Sequence, residues 1–432
     1  MKNESLRICE IFLFLLVVIL FIGCGKKKPE IKWDYSNKDI IGSDLGQSEL
    51  NFINLDVYID ATTSMQGFAV NPNNAYNKFL EEIETAANTA WEKTDVKYFK
   101  FGTNIKRIER NEFLRAKFPG FYSDRGIFEK TKIDSVIYKT DLSRLSVVVT
   151  DLFQTEGDIN SIVLQIKERC FSKNIQLAIL GVKSYYEGKV FDAKVPSYKF
   201  VSKMDDEKTF RPFYAIMFGE PQNILRLFTA LKNKPFVKEE NFILISKFLV
   251  NKFETKLTKT KESKSLSMRK SEKGPNTFEY TLKENARGGK FDLELSYDRM
   301  KFTPQFDPSL LELEVFSKRN LNKAKEKIDS SYSRDLRLIG LKHDENKINS
   351  ALELELENEP GIFSYRVYLQ LPAIGGFIIP DWVKEFSSEN PSPSKDANKT
   401  LNLEKFITNL IQANISISRT KIAKFFITIR HQ

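Results

Sequence analysis

The sequence predicts two successive architectures: a doubly wound, mostly parallel α/β sheet, then a smaller β-rich, sandwich-like domain. Three observations predict them. Between residues 51 and 236, short, continuously apolar runs alternate with segments of helical spacing, the pattern of strands covered on both faces by helices. From residue 276 onward, short alternating runs separated by turn residues replace that rhythm. The chain has 432 residues, 41% of them hydrophobic, enough for two cores, and its 29% charged residues argue against a protein of many membrane spans.

The elements follow in order. Lys2 and Arg7 precede an apolar run from Ile11 to Ile22, twelve residues long. A bilayer-spanning helix needs about 20, so this length fits the core of a signal peptide over residues 1–23. Phe21-Ile22-Gly23-Cys24 resembles the lipobox of bacterial lipoproteins, with Phe21 where leucine is usual. That resemblance implies lipid on Cys24 and a chain held in the bacterial cell envelope, facing outside the cytoplasm. Residues 24–50, which include Lys26, Lys27 and Lys28, read as a flexible tether.

Phe52 to Ile59 reads as a buried strand ending at Asp60. A helix is expected from Ala75 to Trp91, where Phe79, Leu80, Ile83, Ala86, Ala87 and Ala90 share a face. Strands are expected at Val96–Phe101, Leu145–Thr150, Ile175–Val182 and Phe213–Phe218, with Ile105–Ile108 as an edge strand. Helices are expected at Ile133–Tyr138 and Ile159–Cys170, and from Pro221 to Leu231. Residues 51–236 would form the α/β domain. Residues 237–275 are rich in lysine, serine and threonine and read as a linker or exposed hairpin. Residues 276–432 would form the β-rich domain, with one helix from Leu403 to Ala413.

Charge and rare residues narrow the chemistry. The formal net charge of +10 fits a lysine-rich solvated surface, and no nucleic-acid reader motif accompanies it. Loss of the leader removes Cys9, and lipid would occupy Cys24. Cys170 is then alone, so no internal disulfide is expected. With only His343 and His431, histidine-rich zinc sites and Ser-His-Asp triads have almost no material. Trp382 reads as a core or interface aromatic, and the Gly375-Gly376 run lacks a phosphate-loop lysine.

The sharpest local signal is Asp60-Ala61-Thr62-Thr63-Ser64, directly after the first buried strand. One carboxylate and two hydroxyls alternate there, and hard oxygen donors suit Mg²⁺, with Mn²⁺ and Ca²⁺ as alternatives. This run resembles the metal-ion-dependent adhesion site of von Willebrand factor A domains, Asp-x-Ser-x-Ser. Thr62 keeps the middle hydroxyl. The resemblance implies a threonine on a second loop, matched by Thr131, and an aspartate after a later buried strand, matched by Asp151. Leu152 stands where that family often has glycine. The resemblance further implies a bound metal that grips a carboxylate of a protein partner. Arg107, Arg110, Arg115, Lys117, Arg125 and Lys130 are expected near the same rim.

These readings combine into a membrane-anchored, non-enzymatic binding protein that engages an acidic group on a protein partner through a divalent metal, with no nucleic-acid role. A metal-free scaffold of an envelope assembly and a metal-assisted hydrolase are the competing readings. The hydrolase lacks an evident general base or nucleophile.

Overall fold

A computed structural model describes residues 31–41, 51–123, 131–152, 159–192, 195–271, 273–321, 331–357, 359–372, 374–389, 396–417 and 420–432. The leader, Cys24, the lysine run beside it, Arg125 and Lys130 lie outside the described residues. Among the described residues, no helix is long and apolar enough to cross a membrane.

The first unit is built on β1 (Phe52–Asp60), β2 (Lys93–Phe101), β3 (Ile105–Ile108), β4 (Leu145–Thr150), β5 (Gln176–Ser184), β6 (Glu187–Asp192), β7 (Val195–Val201), β8 (Arg211–Gly219) and β9 (Phe242–Ile245). Seven of these form one sheet in the order β3-β2-β1-β4-β8-β5-β9, and β6 and β7 form a separate hairpin. Only β1 with β2 and β1 with β4 pair in parallel. The other four pairings are antiparallel. The expected doubly wound, mostly parallel sheet is therefore corrected to a mixed sheet in a strand-rich chain with several smaller sheets.

The physical reason lies between Ser184 and Arg211. A parallel neighbour needs a crossover, usually helical, whereas the chain here makes the β6–β7 hairpin. β8 then returns antiparallel and inserts between β4 and β5. Every residue of β8 is buried. A strand covered on both faces is continuously apolar whichever way it runs, so its sequence carries no direction.

One face of the sheet packs Leu55, Val57 and Ile59 against the helices Ala75–Ala90 and Pro221–Leu231, through Phe79, Ile83 and Leu227. The other face packs Tyr58, Val148, Ile179 and Ile216 against two nearby helices, Ile133–Lys139 and Ile159–Arg169. Two helices from the far end of the chain, Asp381–Phe386 and Leu403–Ile417, complete that face through Val383, Phe406, Ile407 and Leu410. The helices Asp381–Phe386 and Leu403–Ile417 thus belong to the first unit's core, although the sequence grouped them with the β-rich domain. Trp382 lies over Gly181, where an added Cβ would sit 2.9 Å from its ring.

The second unit stacks a four-stranded sheet on a six-stranded one. Phe253, Leu293 and Leu352 from the first meet Tyr280, Tyr365 and Phe425 from the second in a shared core. The stretch expected as a linker or exposed hairpin is divided: Phe242–Ile245 is β9 of the first unit, and Val250–Lys259 and Leu266–Arg269 are strands of this one. Val250–Lys259 pairs antiparallel with Gly288–Arg299. Val250, Phe253, Thr255 and Leu257 point inward, and the lysines and glutamate between them face solvent. One-sided burial explains why a lysine-rich segment is a strand. The chain's last strand, Lys421–His431, lies inside the six-stranded sheet.

The expected tether is also revised. Residues 31–41 lie against the six-stranded sheet, with Ile31 and Trp33 packed on Phe426 and Ile40 buried in the sandwich core.

Candidate functional site

Asp60 is the last residue of β1 and is fully buried. Thr62 is extended, and its backbone N–H donates to Asp60 Oδ1 at 3.1 Å, turning the chain back over the carboxylate. A short 3₁₀ helix, Thr63–Ala69, follows and holds Ser64 beneath the surface. Thr63 adopts this helix with φ negative, so the loop has no need of glycine there.

Four of the five residues singled out in the sequence are joined by hydrogen bonds, and the fifth, Asp151, is near enough for its charge to act on Asp60. Thr62 Oγ1 donates to Asp60 Oδ1 at 2.6 Å. The same oxygen lies 3.2 Å from Ser64 Oγ and 3.0 Å from Thr131 Oγ1. A hydroxyl has one proton, and that of Thr62 is committed to the carboxylate. Ser64 and Thr131 are therefore the donors toward Thr62. Thr131 precedes the helix Ile133–Lys139 and is buried. Asp151 follows β4, beside β1 in the sheet, and is also buried. Burial, and then the charge of Asp151, push the Asp60 carboxyl up to about 7.

The sequence missed three members of this site. Thr150 Oγ1 donates to Asp60 Oδ2 at 2.8 Å and accepts from Leu152 N–H at 3.2 Å. Leu152 has φ 60°, a left-handed backbone that costs a side-chain-bearing residue about 1–2 kcal/mol. Its position, where glycine was noted as absent, was the available signal. Tyr186, just before β6, is the second. Its hydroxyl lies 3.2 Å from the Ser64 carbonyl and 2.7 Å from that of Lys189. Its ring fills the space where a Cβ on Gly67 would stand, which makes Gly67, the third, sterically obligatory. The β6–β7 hairpin thereby closes over the loop that follows Asp60. Nothing local in the sequence announces that contact.

Two cations of the basic connection are drawn onto acids, and its Pro119 carbonyl accepts from Gln66 Nε2 of the loop after Asp60 at 3.2 Å. Arg110 pairs with Glu84 at 2.8 Å and Lys117 with Glu81 at 2.7 Å, both on the helix Ala75–Ala90. Arg107 and Arg115 are exposed. Cys170 is fully buried, and burial pushes its thiol up to about 12, so it is a core residue without thiolate character. Both histidines lie in the second unit. His343 is on the strand Leu336–Asp344, and His431 is held between the carbonyls of Glu359 and Glu284.

Among the described residues, no three His, Cys, Asp or Glu side chains gather as a metal-ligand group. The cluster instead offers two carboxylates, with hydroxyls for the rest. That set fits a hard divalent cation: all donors are oxygen, and the two buried acids disfavour each other's charge in a way a cation offsets. No model of a known protein family matches this chain, and no curated protein is significantly similar to it.

Proposed function

We propose that this protein is a lipid-anchored, extracytoplasmic binding protein. Asp60, Thr62, Ser64, Thr131 and Asp151 would hold one divalent cation, Mg²⁺ first among candidates, in a site like that of von Willebrand factor A domains. The bound cation supplies a positive anchor for a carboxylate on a protein partner. The observation that carries this is Thr62 Oγ1, which joins Asp60, Ser64 and Thr131 in one hydrogen-bonded group. A local turn-capping role accounts for Asp60, Thr62 and Ser64, but not for Thr131, 69 positions away in the chain. Binding is preferred to catalysis because the cluster holds no histidine to serve as general base beside the two carboxylates. The envelope location rests on the leader and Cys24.

One observation favours a metal-free scaffold instead: Asp60 already accepts three hydrogen bonds, from Thr62 N–H, Thr62 Oγ1 and Thr150 Oγ1. Crosslinking of the native anchored protein, with and without chelator, separates the two. Binding predicts captured partners that vanish with chelator and in Asp60→Ala. Capture unchanged by either overturns the metal-dependent reading.

A further inference from the structure

The stretch expected to be a free tether is a docked element. Ile31 and Trp33 are buried on Phe426, with Tyr35 edge-on to the same ring at 4.7 Å. Trp33 Nε1 donates to Ser364 Oγ at 3.0 Å, and the cations of Lys318 and Arg366 stand over its indole at 4.3 and 5.0 Å. Lys318 Nζ also donates to the Lys32 carbonyl at 2.8 Å. Further along, Asp39 receives Lys424 Nζ at 2.6 Å and the Tyr368 hydroxyl at 2.7 Å, and Ile40 enters the core between the two sheets. Lys424 Nζ donates to the Ser36 carbonyl as well. Lys424 is almost fully buried while Asp39 keeps contact with solvent, so this end of the segment is fastened by a half-exposed, multiply bonded ion pair.

Docking shortens the leash. Residues 25–30 alone separate Cys24 from Ile31. Those seven steps span at most about 25 Å when fully extended. A tether free from residue 24 to residue 50 would span up to about 90 Å by the same rule. The docking site belongs to the strands Glu312–Leu321, Gly361–Gln370 and Lys421–His431 of the second unit, not to the unit that carries Asp60.

We infer that residues 31–41 are a strap that seats the β-sandwich on the lipid bilayer, making the unit that comes later in the sequence the membrane-proximal one. This rests on the lipid-anchor reading of Cys24. The partner surface is a phospholipid headgroup layer, within reach of the sandwich face around Trp33. The unit with the oxygen cluster is then carried on the sandwich instead of being tied to the membrane directly.

The test uses the full-length lipidated protein in vesicles of phosphatidylcholine and phosphatidylglycerol with an acceptor dye on some headgroups. A donor dye sits on Tyr332→Cys, which is exposed on the strand paired with Phe316 beside the strap, while native Cys170 is buried. Strong energy transfer is expected. A Gly/Ser spacer of about 20 residues inserted before Ile31 leaves the strap docked and lengthens the leash, and transfer should fall at least twofold. Asp39→Ala combined with Trp33→Ala should lower it similarly and raise hydrogen exchange over residues 31–41. Transfer unchanged by the spacer, in protein that still floats with vesicles, overturns the strap alone. Protein that does not float overturns the lipid anchor, and the strap's membrane role with it.

Discussion

The hydroxyl of Thr62 lies 3.0 Å from that of Thr131, joining the loop after the first strand to the segment before the helix Ile133–Lys139. Neither residue is part of a regular element's core. Their meeting ties the Asp60 loop to a segment 69 positions away, which a capped turn alone does not require. Thr131→Val keeps shape and removes the donor. It is expected to weaken Mg²⁺ binding at least as much as removal of an orienting partner does at metal sites, roughly 10- to 100-fold. Calorimetric titration of the folded variant checks this, with far-ultraviolet circular dichroism as the control for folding.

Gly67 and Tyr186 form a steric lock on the same loop. Gly67→Ala forces a Cβ into the Tyr186 ring, and a loss of about 1–3 kcal/mol in urea unfolding is expected. Tyr186→Ala opens the space, so the double variant should be more stable than the sum of the single losses predicts. Strict additivity would show that the ring and the glycine do not meet in solution.

Arg144 anchors the opposite end of the sheet. Its Nε donates to Asp56 at 2.6 Å and its Nη1 to Asp95 at 3.0 Å, and both Arg144 and Asp56 are buried. Burial holds the Asp56 carboxyl above its ordinary value even with the guanidinium beside it. Arg144→Met strands that acid, at an expected cost of about 3–5 kcal/mol. Denaturant unfolding measures the loss, and Mg²⁺ affinity of the folded protein should not change.

The strap carries its own pH dependence. Burial alone would raise the Asp39 carboxyl, but hydrogen bonds from Lys424 and Tyr368 outweigh it and hold it below 3.8. A lowered folded value means that the stabilisation is fully present above 3.8 and is lost as pH falls through the folded value. Protection factors over residues 31–41, exchange corrected for its intrinsic pH dependence, should therefore fall on acidification below about 3.8 and stay flat between about pH 5 and 8. Opening near neutrality would contradict the Asp39–Lys424 fastening.

Much of the site was legible in the sequence because it sits where apolar runs stop. β1 ends on Asp60, Asp151 directly follows β4, and hydroxyls follow Asp60 at every second position. The direction of β8 was not legible, since burial on both faces erases the alternation that distinguishes strand environments. Helical spacing at Leu403 showed a helix but not which sheet it covers, because docking is set by a distant complementary face. The Tyr186–Gly67 contact is likewise non-local. The strap did leave a trace: Ile31, Trp33 and Tyr35 alternate within an otherwise polar tract, as residues facing one surface do.

The central claim is that the oxygen cluster binds a divalent cation, and titration of the metal-free protein with Mg²⁺ by isothermal calorimetry tests it most directly. Saturable one-to-one binding that disappears in Asp151→Ala, with the variant still folded, is the expected result. No binding heat at millimolar Mg²⁺ or Mn²⁺, or binding that survives both Asp60→Ala and Asp151→Ala, would contradict it.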